Sequence, residues 1–161
     1  MMRTSGFHSR KNEKPAAALR NGALRFTISS DFVAGREVQK AILDDVARHR
    51  YNDHAAFAIK LALEEALINA IKHGNKLDPA KKVRVTAKVT DAACHIEIED
   101  EGPGFDRKSV PDPCAEENLE KCSGRGILLM ESYMNSVAWD RGGRRVRMSK
   151  KNEPDVLPRK K

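Results

Sequence analysis

Long apolar runs are missing from this sequence, aromatic residues make up only 5% of it, and its three cysteines follow no ligand pattern. Each shortage removes a class of protein. No stretch approaches the ~20 apolar residues that a bilayer-spanning helix needs, so a membrane protein is not expected. The N-terminus reads Met-Met-Arg-Thr-Ser-Gly-Phe-His-Ser-Arg and then becomes more basic, with no apolar segment behind the charges. That pattern argues against a secretory signal and makes a cytoplasmic location the expectation. Cys94, Cys114 and Cys122 are odd in number and show neither a C-x-x-C nor a Cys/His zinc spacing, so they read as plain thiols. With so few aromatics there is also no interleaving of rings and basic residues of the kind that stacks bases, and no specific nucleic-acid site is expected.

What the chain does have is apolar material for one core. Of 161 residues, 40% are hydrophobic, which suits one ordinary domain and not two. The formal charge of +7 is unevenly placed. Residues 1–20 hold five Lys/Arg against one acid, residues 150–161 hold five against two, and the rest holds 20 against 20. The expected organisation is therefore a basic disordered tail over 1–20, a charge-balanced domain over 21–149 and a second basic tail over 150–161. A reading in which the tails are the functional part, as arms on nucleic acid or another acidic surface, requires tail removal to abolish function and binding to fall with salt.

Periodicity places the elements. Residues 23–29 alternate apolar and polar residues as a half-buried strand does, and Asp31 can cap a helix running to about Arg50. Asp53 offers a second N-cap. In the helix that follows, Ile59, Ala62, Leu63, Ala66, Leu67, Ala70 and Ile71 recur at i, i+3, i+4 and predict one buried stripe, closed by Gly74 as a C′ glycine. Alternating segments over 82–89 and 94–99 predict a hairpin, and residues 136–140 and 144–148 another around Gly142-Gly143. Between them, residues 106–123 read as a long loop with one helical turn at most, followed by a helix over 127–134. The order β, α, α, β, β, loop, α, β, β predicts an α+β fold: a two-layer sandwich in which a mixed, mainly antiparallel sheet carries helices on one face.

Three clusters at element boundaries have the residue types for chemistry. Counting about 100° per residue, Glu65, Asn69 and His73 line up beside the apolar stripe of their helix, while Glu64 points away. A carboxylate beside a neutral amide oxygen suits a Mg²⁺ held mostly by phosphates and water, with the carboxylate orienting or deprotonating a nucleophile. The same residues also fit the polar flank of an amphipathic helix. Asp100-Glu101-Gly102-Pro103-Gly104-Phe105 puts an acid at a strand end, able to accept from an exocyclic amine, with glycines that let the backbone approach a flat ligand; it equally fits a tight turn. Ser123-Gly124-Arg125-Gly126 opens a helix, where glycines leave free N–H groups for a phosphate, or simply form a hinge.

In combination and in this order, the three clusters resemble the boxes of the Bergerat ATPase superfamily, shared by gyrase, heat-shock chaperones of the ninety-kilodalton class, mismatch-repair ATPases and histidine kinases. Residues 65–74 look like its N box, 100–105 its first glycine box and 123–130 its second. The resemblance covers about residues 23–149 and is strongest to the small anti-sigma-factor serine/threonine kinases of bacterial sporulation and stress responses. It implies a histidine-kinase-like ATPase fold that binds ATP with Mg²⁺. It further implies that Asp100 bonds the adenine amine, Asn69 ligates Mg²⁺, Glu65 activates an attacking hydroxyl, and Gly102, Gly104, Ser123, Gly124 and Gly126 shape the nucleotide site under a lid formed by residues 106–123. Some members place an arginine just before the Ser-Gly of the second box, where this chain has Cys122. Lys121 and Arg125 are then the candidates for neutralising the terminal phosphate. The implied partners are a sigma factor and a STAS-type anti-anti-sigma protein phosphorylated on a hydroxyl side chain, with a homodimer as the implied assembly. The alternative is a nucleotide-gated binding module of the same fold that changes partners without phosphotransfer.

Overall fold

The computed structural model describes residues 17–109 and 125–153. A six-stranded sheet runs in the order β1-β2-β3-β4-β6-β5, built from β1 (Ala18–Arg20), β2 (Ala23–Ser29), β3 (Lys82–Val89), β4 (Ala93–Glu99), β5 (Ser136–Asp140) and β6 (Arg145–Lys151). Every pairing in it is antiparallel, so the sheet is more uniform than the mixed one expected. Three helices accompany it among the described residues: α1 (Phe32–Arg48), α2 (Asp53–Ile68) and α3 (Arg125–Tyr133).

Strand alternation decides which face the helices cover. Phe26 and Ile28, Val83, Val85, Ala87 and Val89, Cys94, Ile96 and Ile98, and Val146 and Met148 are all buried, while their neighbours in sequence point to the open face. Against that apolar face α1 packs over β2 and β3, α2 reaches β6, and α3 lies beside α2 and β5. The predicted stripe of α2 is the centre of the core: Ile59, Ala62 and Leu63 are fully enclosed, and Ala66, Leu67, Ala70 and Ile71 nearly so. Burying each of the larger side chains contributes about 1.5–3 kcal/mol.

The ends of the elements differ from expectation in instructive ways. Asp31 does cap α1, accepting from the Ala34 N–H at 3.1 Å. The cap of α2 is Asn52 and not Asp53: its side-chain oxygen accepts from Ala55 N–H at 2.7 Å, and Asp53 becomes the first helical residue, where its charge meets the positive helix end. Beyond Ile68 the α-helix does not continue to Gly74. Residues Asn69–Gly74 form a π-helical turn, in which the Asn75 N–H reaches back five residues to the Ala70 carbonyl at 2.9 Å. Gly74 is its last residue and takes no left-handed φ, so it is not the C′ glycine expected.

At the other edge of the sheet, Ala18–Arg20, read from the sequence as tail, is a strand paired with Ala23–Arg25. Asn21 and Gly22 connect the two with φ of 52° and 72°, the geometry of a two-residue primed hairpin turn. The last strand likewise extends to Lys151. Among the described residues no helix is long and apolar enough to cross a membrane.

Candidate functional site

Asn69 and Asp100 are 31 positions apart in sequence, and the fold brings both to the wall of one cavity of about 510 Å³. Glu65, His73, Gly104 and Gly126 share that wall. The floor is the end of α2 and its π turn, one side is the loop leaving β4, and the start of α3 lies over Glu65. The opposite side is closed by β5, which contributes Trp139, and by the β5–β6 connection, which contributes Gly143 and Arg144.

The π turn explains how one helix serves both core and cavity. An extra residue per turn shifts the helical phase after Ile68, so the count of about 100° per residue no longer holds at His73. Ala70 and Ile71 nonetheless stay buried while Asn69 and His73 remain on the cavity wall. Immediately after the turn stands Asn75, fully enclosed and bonded on every side. Its amide donates to Ser30 Oγ and to the Lys82 carbonyl, each at 2.9 Å, and its oxygen accepts from the Glu101 N–H at 2.7 Å. Ser30 Oγ in turn donates to the Lys81 carbonyl at 2.9 Å. This knot ties the end of the π turn to β2, β3 and the loop that carries Asp100. Sequence reasoning passed over Asn75; its one signal was a polar residue between a helix end and a strand with no evident surface role.

Asp100 sits at the end of β4 with its carboxylate nearly buried. Its Oδ1 accepts from the Gly102 N–H at 2.8 Å, and its own N–H donates to the Arg144 carbonyl at 3.0 Å. Burial pushes its pKa up, and the Gly102 N–H and the Arg144 guanidinium pull against that shift. Glu65 is also raised, by burial first and by the neighbouring Glu64 second. Two carboxyls on one wall therefore have an elevated affinity for protons, as acids and bases in working clefts commonly do.

The glycines permit close approaches within the chain itself. A Cβ on Gly74 would overlap the Asp100 carboxylate, and one on Gly102 would overlap the Gly74 carbonyl. Gly102 does not line the cavity; it stands behind Asp100 and fixes it through its N–H. Gly104, at φ +78°, allows the loop to meet the Gly142 carbonyl, and the next N–H, that of Phe105, donates to that carbonyl at 2.9 Å. A Cβ on Gly126 would overlap the Glu65 carboxylate, so that glycine lets α3 begin directly over Glu65. The close approaches are thus of backbone to backbone and backbone to carboxylate.

Arg125 is the exposed first residue of α3 and does not line the cavity. Lys121, Ser123 and Gly124, and the expected lid beyond Ser109, lie outside the described residues; the part that is described includes one 3₁₀ turn at Arg107–Ser109. Trp139 and Arg144 were missed from the sequence, because only the fold shows that the β5–β6 connection bends back onto the Gly104 loop.

The sequence model of the family described as "Histidine kinase-like ATPase domain" matches residues 28–150. The chain is 35% identical over 82 residues to the "Anti-sigma F factor" of Geobacillus thermodenitrificans (strain NG80-2), covering 49% of this chain and 56% of that protein. It is 35% identical over 82 residues to the protein of the same name from Clostridium perfringens (strain SM101 / Type A), covering 58% of it, and 37% identical to that of Shouchella clausii (strain KSM-K16). The matched stretch spans little more than half the length of each of these relatives.

Proposed function

Because the chain belongs to the histidine kinase-like ATPase domain family, we propose that its cavity takes ATP with Mg²⁺ and that the protein is an anti-sigma regulator with serine/threonine kinase activity. The observation that carries this reading is the convergence of Glu65 from α2 and Asn69 from the π turn after it with Asp100, just past β4, on a single cavity under the start of α3. The likeness to anti-sigma F factors supports the regulatory part of it.

In this reading the Asp100 carboxylate accepts from the adenine amine, held for that purpose by the Gly102 N–H. The metal's donor set has to be judged from what the wall offers. No cluster of three or more His, Cys, Asp or Glu side chains that could hold a metal exists among the described residues. An amide oxygen from Asn69 with nearby Glu65 is instead the set expected when phosphates and water supply most of the ligands, and so the residues fit Mg²⁺. When bound, the ion neutralises phosphate charge. Glu65 then takes the proton from a hydroxyl side chain of the partner as that oxygen attacks the terminal phosphorus and ADP leaves. Its raised pKa suits a base, because it holds a transferred proton better than an ordinary glutamate does. The partner is a small anti-anti-sigma protein, and a sigma factor is the target held in its absence.

Incubating the purified chain with γ-labelled ATP, Mg²⁺ and candidate anti-anti-sigma proteins from its native cell tests the proposal. Label is expected on a serine or threonine of one of them. Glu65→Gln should reduce the rate by about 10²-fold or more while ATP still binds. No label with ATP binding intact would remove the kinase, and an ATP-dependent partner response that Glu65→Gln leaves unchanged would favour the gated binding module.

A further inference from the structure

Four arginines stand between positions 141 and 147, and three of them are in ion pairs. Arg141 meets Glu99 at 3.0 Å, Arg145 meets Asp140 at 2.5 Å and Arg147 meets Asp140 at 2.9 Å. Arg144 differs. Its side chain makes one hydrogen bond, from Nε to the Arg141 carbonyl at 3.0 Å, and its two Nη groups have no partner among the described residues.

Register decides where this side chain goes. Ile98 on β4 pairs with Val146 on β6, and both stand on the cavity wall. Successive side chains alternate between the faces of a sheet, so Asp100 and Arg144 are the next pair along that same face. The Asp100 N–H bond to the Arg144 carbonyl joins them, and both line the cavity. The stem of Arg144 runs beside Gly104, with Cγ 3.3 Å from where a Cβ on that glycine would stand. Beyond the stem, the Nε bond fixes one edge of the exposed guanidinium and leaves the other free. Its charge acts on the Asp100 carboxylate, yet the two side chains form no ion pair. An acceptor and a donor held apart on one face leave room for a ligand that offers a donor to the first and an acceptor to the second.

We propose that Arg144 is a nucleotide-binding residue whose guanidinium donates to N1 of the adenine while Asp100 accepts from the exocyclic amine. The inference rests on the ATP reading given above and extends it from one contact to the edge of the base. The amine and N1 are bonded to the same ring carbon, so adenine presents a donor and an acceptor side by side. Arginine suits the second role, because it stays charged at any working pH and its planar fork can meet a flat ring edge-on.

Arg144→Met keeps a stem beside Gly104 and removes the donors. In calorimetry it should bind ATP about 5- to 20-fold more weakly than the wild type. Adenosine should lose a similar factor, because the missing contact is to the base. 1-Deaza-ATP, which lacks the N1 acceptor, should show a like loss on the wild type and nothing further on Arg144→Met, where the same bond is already absent. If the variant fails to fold, the wild-type titrations decide: 1-deaza-ATP should bind more weakly than ATP, and equal binding overturns the inference. Equal ATP affinity of Arg144→Met and wild type, or a loss seen with ATP and absent with adenosine, overturns the role of Arg144 and leaves the ATP reading standing. Wild-type protein that gives no heat with ATP overturns that reading and this inference with it.

Discussion

The helical run from Asp53 to Gly74 contains two regions with opposite logic. From Asp53 to Ile68 it is a regular α-helix whose buried residues, Ala55 to Leu67, pack in the core, with Ala66 alone among them also reaching the cavity wall. From Asn69 to Gly74 it is a π turn whose outward residues line a cavity and whose end is tied by Asn75 to three other segments. The first region obtains its stability from area removed from water. The second departs from ideal geometry and is held by named hydrogen bonds, as π turns at functional sites commonly are. One helical run therefore anchors the fold at one end and presents cavity-lining groups at the other. A change in the first region should cost stability, and a change in the second should cost the site.

The largest effect on stability is expected at Leu63, fully enclosed in the first region. Leu63→Ala should lower the unfolding free energy by about 2–5 kcal/mol through lost transfer energy and the cavity left behind. Denaturant unfolding measures this, and ATP affinity of the folded fraction should stay close to that of the wild type. A variant that kept its stability and lost ATP would break the division between the regions.

Asn75→Ala comes next and sharpens the comparison. It leaves the Glu101 N–H and the Lys82 carbonyl without their buried partner, at a cost of about 1–3 kcal/mol. The stability loss should therefore be no greater than that of Leu63→Ala. The ATP affinity should nevertheless fall further, because Glu101 adjoins Asp100 and the knot sets where that carboxylate stands. Paired unfolding and calorimetric titrations of the two variants check it. Equal affinities in both would mean that Asn75 serves only the fold.

The same division explains what the sequence disclosed. The stripe of α2 was legible because seven apolar residues at helical spacing admit one arrangement, and both closing strands of the second hairpin were legible from alternation around Gly142-Gly143. The π turn was not, since nothing in Asn-Ala-Ile-Lys-His-Gly distinguishes it from α; it is fixed by bonds that Asn75 makes to segments 45 residues before it and 26 after. The cap at Asn52 was missed by one residue because Asn and Asp are both good caps. Asn21-Gly22 did carry a strong hairpin signal, obscured by the basic composition of the residues before it. At the site, Glu65, Asn69 and Asp100 could be grouped through the family pattern. Trp139 and Arg144 could not, because their proximity to the cavity depends on how one turn folds against another.

Glu65 is the exception that tests the boundary most finely, being in the α region yet facing the cavity. Burial and Glu64 raise its pKa above the ordinary glutamate value of 4.5, so the folded chain favours its protonated form. A raised folded-state pKa in an acid means that the unfolded chain gives up this proton first. Wild-type stability should therefore fall slightly as pH rises from the ordinary glutamate value through the folded one, and Glu65→Gln should not show that fall. Asp100 has a raised pKa of the same sign, but it remains in both proteins and cancels from their difference. Phosphotransfer should run the other way, since a base works only when ionised: its acid limb should lie above 4.5, and activity should rise through the window in which stability declines. Unfolding midpoints of the two proteins across a pH series should coincide at acid pH and separate above it, with Glu65→Gln the more stable. A difference that stayed constant with pH would place the Glu65 carboxyl in ordinary solvent and remove it from the set of perturbed groups on the cavity wall.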